Sequence, residues 1–134
     1  MSGPKVGVAD TSVLIAQEVG RRLDESADID RIVTTVVTLA ELELGVLAAA
    51  DVETRARRLA TLDRIADIEV LEATSAAAHE WARLRLFLRG HGRRMEMNDL
   101  WIAAIAAANN LPVVTQDSDF DALDGAPGVA VMRV

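Results

Sequence analysis

Met97-Asn98-Asp99-Leu100-Trp101-Ile102-Ala103-Ala104-Ile105-Ala106-Ala107-Ala108 is the stretch on which the fold turns. A single acid stands at its head, and no charge follows for the rest of the run. A helix apolar on nearly every side belongs in a core, with its first turn at the core's edge. Asn98 is a good N-cap, and Asp99 in the first turn complements the helix dipole. The same position also suits a carboxylate that points into a shared acidic pocket and binds a divalent metal. Other acids able to reach that pocket would decide between the two.

The remainder of the chain alternates short apolar runs with helical periodicity. Val6-Gly7-Val8-Ala9 reads as a buried first strand, and Asp10-Thr11-Ser12 follows it. A helix then starts at Val13 and runs to about Ser26. Asp10 or Ser12 caps that helix in one reading; in the other, Asp10 sits where open α/β sheets bind ligands, at a strand's carboxyl end. Arg31-Ile32-Val33-Thr34-Thr35 is a β-branched second strand. The second helix, Val37 to Ala50, buries Leu39, Leu42, Val46 and Ala49. Glu41 lies on another of its faces, and Thr38-Leu39-Ala40-Glu41 also fits a capping box. A third helix, Val52 to Ala66, carries an inner stripe of Val52, Ala56, Leu59, Leu62 and Ala66, with Arg55, Arg57, Arg58 and Arg64 largely off it.

Ile68-Glu69-Val70-Leu71 is the third strand. Thr74 or Ser75 caps a long helix to about Arg89, with Ala77, Trp81, Leu84 and Leu88 inward and His79 exposed. Gly90-His91-Gly92-Arg93-Arg94 is a glycine-hinged basic loop that leads straight to Asp99. It makes salt bridges to the acidic surface or contacts phosphate. Val113-Val114-Thr115 is strand four, and Gln116-Asp117-Ser118-Asp119-Phe120-Asp121 follows it, with Asp117 a turn former or a site acid and Phe120 a core plug. Val129 to Met132 closes the chain as strand five.

Strands alternating with helices imply a parallel sheet with helices on both faces. With strand order 3-2-1-4-5, Asp10 and Asp117 face each other across the topological switch point, and the helices of Glu41 and Asp99 open near it. Crowded carboxylates repel and raise one another's pKa unless a cation neutralises them. With no cysteine and two histidines, any metal is held by oxygen, which favours Mg²⁺ or Mn²⁺ over Zn²⁺. No Walker A loop, dinucleotide fingerprint or Ser/His nucleophile pairing competes. The 134 residues suffice for one domain, and half are hydrophobic. No run approaches the ~20 apolar residues of a membrane helix, no secretion signal is visible, and the lack of cysteine fits the cytosol. The net charge of −7 argues against a general nucleic-acid binder but allows an enzyme that grips one phosphodiester, or a basic protein partner.

Ala9-Asp10-Thr11-Ser12-Val13-Leu14-Ile15, Thr38-Leu39-Ala40-Glu41-Leu42-Glu43-Leu44-Gly45, Asn98-Asp99-Leu100-Trp101-Ile102-Ala103-Ala104 and Thr115-Gln116-Asp117-Ser118-Asp119-Phe120 resemble, in order and over nearly the whole chain, the PIN-domain ribonucleases. More narrowly they resemble the VapC-type toxins of VapBC toxin–antitoxin pairs. The resemblance implies a single PIN domain over 1–134, a three-layer α/β/α fold and a Mg²⁺- or Mn²⁺-dependent endoribonuclease of the cytoplasm. It assigns the catalytic quartet to Asp10, Glu41, Asp99 and Asp117, with Asp10 and Asp99 the most direct metal ligands and Asp119 a further acid. It also implies a homodimer, an RNA substrate and a VapB-type antitoxin that blocks the site. Thr11, Ser12, Arg93 and Arg94 are candidate substrate contacts. The alternative is a receiver-like signalling or binding module with an acidic Mg²⁺ pocket, against which stands the lack of an aspartate ending strand three and of any lysine besides Lys5.

Overall fold

The computed structural model describes residues 3–18 and 29–134. In chain order the elements are β1 (Val6–Ala9), α1 (Thr11–Glu18), β2 (Arg31–Thr35), α2 (Val36–Leu47), α3 (Val52–Ile65), β3 (Val70–Leu71), α4 (Ser75–Gly90), α5 (Met97–Ala108), β4 (Val113–Thr115), a 3₁₀ helix (Ser118–Leu123) and β5 (Val131–Arg133). The five strands form one sheet in the order β3-β2-β1-β4-β5, and every neighbouring pair is parallel. This is the expected order, with β1 and β4 adjacent at the switch point.

The alternation of a strand assigns its residues to two layers. Val8, Val33 and Val113 face a cluster built with Leu84 and Leu88 of α4, Ile102 of α5 and Phe120. Ala9 and Val114 face the opposite way, into a cluster with Val13, Leu14, Leu42 and Ile65 from α1, α2 and α3. Helices therefore cover both faces. β1 lies close to β4: a Cβ on Gly7 would overlap Val114 Cγ2, so only glycine fits between these strands.

The α5 run is buried as its composition demands, from Leu100 and Ile102 through Ala106. Its cap differs from expectation. Glu96, not Asn98, is the N-cap, and its carboxylate accepts from the Asp99 N–H at 3.1 Å. Asp99 thus sits three residues into the helix. The α2 cap also moves. Thr35 takes the role, accepting from the Thr38 N–H at 3.2 Å, so the Thr38–Glu41 capping box does not form and Glu41 is released from any capping duty. α1 begins at Thr11 rather than Val13, and its expected continuation to Ser26 lies outside the described residues.

α3 corrects the sequence reading most. Val52 is 84% exposed and Leu59 45%; Leu62 packs inward as expected, and Thr54, Arg58, Thr61 and Ile65 make the rest of the inward face. Arg58 donates to the Gly45 carbonyl of α2 at 2.6 Å. Its long stem covers apolar surface while its head satisfies a backbone acceptor, an outcome that a hydrophobic stripe cannot anticipate. β3 is shorter than expected because Ile68 still donates to Ile65 O in the turn that ends α3. β5 starts later, at Val131, because Val129 N–H turns back to Ala126 O. Trp81 is half-buried at the core's edge, stacked on Trp101 at 5.6 Å. No helix among the described residues is long and apolar enough to cross a membrane.

Candidate active site

The carboxyl ends of β1 and β4 carry Asp10 and Asp117, as the switch-point argument requires. Asp10 is 3% exposed. Burial pushes its pKa up, and hydrogen bonds from Ser12, Thr115 and Val13 work against that rise. The Ser12 hydroxyl donates to Oδ1 at 2.6 Å and the Thr115 hydroxyl to Oδ2 at 2.6 Å. The Val13 N–H, at 3.3 Å from Oδ1, makes Asp10 the N-terminal cap of α1 as well, so the two readings of this residue coexist. The two hydroxyls are themselves held. Ser12 Oγ accepts from the Gln116 N–H at 3.0 Å, and Thr115 Oγ1 accepts from the Asp117 N–H at 2.8 Å. Thr115 therefore ties the two strand ends together: it binds the side chain of one acid and the backbone of the other.

Glu41 comes from α2, one face away from the buried Leu42. Its Oε1 accepts from the Thr11 hydroxyl at 2.7 Å. Thr11 and Ser12, expected at substrate, use their hydroxyls to orient acids. Asp117 also caps the 3₁₀ helix, accepting from the Asp119 N–H at 2.9 Å, which brings Asp119 beside it.

Asp99, Asp117 and Asp119 each offer one carboxylate oxygen, and these three atoms lie within 4.8 Å of one another. Asp10 and Glu41 are not in that group, although charge couples them to it: Asp117 adds to the rise that burial causes in the pKa of Asp10, and Glu41 adds to that of Asp99. Asp99 is pushed up to about 7, first by desolvation and then by Glu96, Asp117, Asp119 and Glu41 in turn. Asp119 is raised mainly by the charge of Asp117. The half-buried Asp99 and Asp117, with the exposed Asp119 beside them, match the donor set of an oxygen-ligated divalent metal.

Two contributors escaped the sequence reading. Glu96 adds charge at the site while capping α5; glutamate is not a preferred N-cap, so Asn98 drew attention away from it. Thr115 stands at the head of a motif whose acids alone were given roles, and its position directly before the switch-point loop is the signal that could have found it. The basic loop divides. Gly92 adopts φ +62 just past the end of α4, a conformation suited to glycine. Arg93 is structural: Nη1 donates to the carbonyls of Ala122 and Asp124 at 3.3 and 2.8 Å, and its guanidinium lies over the Phe87 ring. Arg94 is exposed and has no hydrogen bond or ion pair among the described residues.

A model of the PIN domain matches residues 8–126. The chain belongs to the PIN-domain family. Within it the chain is of the VapC type. Ribonuclease VapC5 of Mycobacterium tuberculosis (strain ATCC 25618 / H37Rv) is 60% identical over 131 residues, covering 98% of this chain and 97% of that protein. Ribonuclease VapC4 of the same strain is 40% identical over 132 residues, 95% of each chain. The crystal structure of VapBC-5 from Mycobacterium tuberculosis, a member of the VapBC family of toxin–antitoxin systems, matches at a TM-score of 0.91 and 59% identity, over 98% of this chain and 100% of that one. The receiver-like alternative finds no support: β3 ends at Leu71, and Glu72 and Ala73 follow where a phosphoacceptor aspartate would stand.

Proposed function

We propose that residues 1–134 act as one PIN domain, a metal-dependent endoribonuclease and the toxin of a type II pair that a VapB-type antitoxin neutralises. The observation that carries this reading is the crowding of Asp99, Asp117 and Asp119 within 4.8 Å, on the face where Asp10 and Glu41 are also held. Asp99, Asp117 and Asp119 would ligate the ion, with Asp10 and Glu41 completing the acidic surround. When bound, Mg²⁺, for which Mn²⁺ can substitute, neutralises these carboxylates and supplies Lewis acidity for phosphodiester hydrolysis.

The chain's own residues do the positioning. Ser12 and Thr115 fix both oxygens of Asp10, Thr11 fixes Glu41, and the 3₁₀ turn fixes Asp117 against Asp119. Held carboxylates cost no reorganisation when substrate arrives. Arg94, exposed at the edge of the cleft that also contains Asp119, is placed to meet a phosphate, whereas Arg93 supports the loop. The likeness to VapC5 and to the VapBC-5 complex supports the RNA substrate and the antitoxin partner. The protein partner alone is also supported by Leu44, Leu47, Val52 and Leu59 on α2 and α3, large apolar side chains left exposed, since such surface marks protein contacts. A homodimer and a cytoplasmic location complete the reading.

The test is direct. Protein freed of antitoxin is incubated with total cellular RNA and Mg²⁺ or Mn²⁺, beside an EDTA control and the Asp99→Asn variant. Discrete fragments that need both the metal and Asp99 are expected, and sequencing their ends names the RNA. Cleavage that survives EDTA or persists in Asp99→Asn overturns the reading.

A further inference from the structure

Next to the acids lies a cleft of which the proposed reaction uses only Arg94. It has a volume of about 610 Å³ and is lined by Trp81, Arg85, Arg89, Arg94, Met95 and Met97, among others. Arg85, Arg89 and Arg94 are exposed, and none of the three has a hydrogen bond or ion pair among the described residues. In a chain of net charge −7, three guanidinium groups gathered without an acid between them form a local site for an anion. The cleft's wall is of a different kind. Trp81 is stacked on Trp101 with ring centroids 5.6 Å apart, and its Nε1 is buried with no hydrogen-bond partner among the described residues. Two methionine thioethers adjoin it. A second cleft, lined by Glu96, Ser118 and Asp119, shares Arg94 and Met95 with the first. The basic cleft therefore runs into the acidic one.

A guanidinium rim beside an aromatic and thioether wall suits a single-stranded nucleic acid. The phosphates meet the arginines, and an unstacked base lies against the apolar wall. A base paired within a duplex cannot enter. We propose that this cleft is a nucleotide subsite: Arg85, Arg89 and Arg94 hold the phosphates beside the one that is cut, and Trp81 and its neighbours take an unpaired base. The proposal rests on the nuclease reading and adds to it a place, beside the acids, where base preference is set.

The experiment uses the Asp99→Asn protein with Mg²⁺ and a labelled single-stranded oligoadenylate. Anisotropy gives affinity against salt, and the intrinsic fluorescence of Trp81 and Trp101, the two tryptophans of the chain, reports on the cleft. The single strand is expected to quench that fluorescence, and a duplex is not. Adding Arg85→Ala and Arg89→Ala together is expected to lower affinity about tenfold. It is also expected to flatten the slope of log affinity against log salt by about 1.4, since each single-strand phosphate that an arginine no longer neutralises removes about 0.7. Circular dichroism checks that α4 is intact. Unchanged affinity, slope and quenching in the double variant overturn the subsite, as does equal quenching by duplex. Tighter binding of oligoglutamate than of RNA also overturns it and gives the cleft to an acidic protein segment. Metal-dependent cleavage by the wild-type protein is measured in parallel. Cleavage without binding in the cleft removes the subsite alone, and binding in the cleft without cleavage removes the nuclease alone.

Discussion

Asp10 and Asp99 are acids of one site, and the fold treats them in opposite ways. Asp10 is buried, yet each of its oxygens receives a hydroxyl, and those hydroxyls are anchored by backbone N–H groups of the next loop. Asp99 is less buried, but what surrounds it is negative charge from Glu96, Asp117, Asp119 and Glu41. One acid is satisfied by the protein. The other is left with a repulsion that only something from outside can relieve. The strand-end region is thus part of the fold as much as of the acidic cluster, whereas the head of α5 gathers negative charge that the fold leaves uncompensated. Variants at the two places should fail differently.

The largest effect is expected at Asp99. Asp99→Asn should reduce RNA cleavage at least about a hundredfold, the loss typical of removing one preorganised electrostatic group. Glu43→Gln, an exposed neighbour of the Glu41 turn, should leave cleavage unchanged. Equal losses in both would mean that general acidity, not this constellation, matters. The strand-end region should break through stability instead. Thr115→Val keeps the shape of a fully buried side chain but leaves Asp10 Oδ2 without its donor and the Asp117 N–H without its acceptor. Buried polar groups orphaned in this way cost about 1–3 kcal/mol, on the order of 5–10 °C in melting temperature for a chain of this size. A Thr115→Val protein that melts as the wild type does would show that water replaces the hydroxyl, and the contrast with Asp99 would lose one of its sides.

Between the two basic residues of the loop the contrast is smaller and of the same kind. Arg93→Ala should lower the melting temperature by a few degrees through the loss of its bonds to Ala122 and Asp124. Arg94→Ala should leave it unmoved and weaken RNA binding in a salt-dependent way. The reverse pattern would return Arg93 to the substrate side.

The sheet order and the positions of the acids were legible because they follow from short-range signals. Apolar β-branched runs mark β1, β2 and β4, and an acid directly after β1 or two residues after β4 can go nowhere but the sheet's carboxyl edge. The α5 helix was legible because a run without charge has one place to go. What was hidden depends on partners distant in sequence. The inward face of α3 includes Arg58 because a carbonyl of α2 waits there, and no periodicity in α3 alone contains that fact. The cap by Glu96 displaced the better-ranked Asn98 because tertiary placement of the preceding loop outweighs a preference of about 1 kcal/mol, and Thr35 took the α2 cap from an equal, Thr38. The roles of Thr11 and Arg93 were hidden for the same reason: each side chain's partner lies across the fold.

The difference between the two acids has a pH signature. In metal-free protein the Asp99 carboxyl is pushed from 3.8 to about 7. A carboxyl whose pKa is higher in the folded than in the unfolded state binds more protons when folded between those values. Its contribution to stability is therefore full below about 4 and is lost as pH rises to about 7. In EDTA the wild-type melting temperature should fall across this window. Asp99→Asn should remove much of the slope and melt about 3 °C higher at neutral pH, because a site that crowds like charges gives up stability for function. Asp10 is also raised by burial, but it is present in both proteins, so the difference between the two curves isolates Asp99. Mg²⁺ should restore the wild-type protein at neutral pH, since a ligand bound only by the folded state stabilises it, and should do little for the variant. Should Asp99→Asn instead melt lower in EDTA, the charges around Asp99 would not be what destabilises the fold. Asp99 is not the cap of α5, so that outcome would mean that its favourable interaction with the helix dipole, about 0.3–1 kcal/mol, outweighs the desolvation and repulsion that raise its pKa.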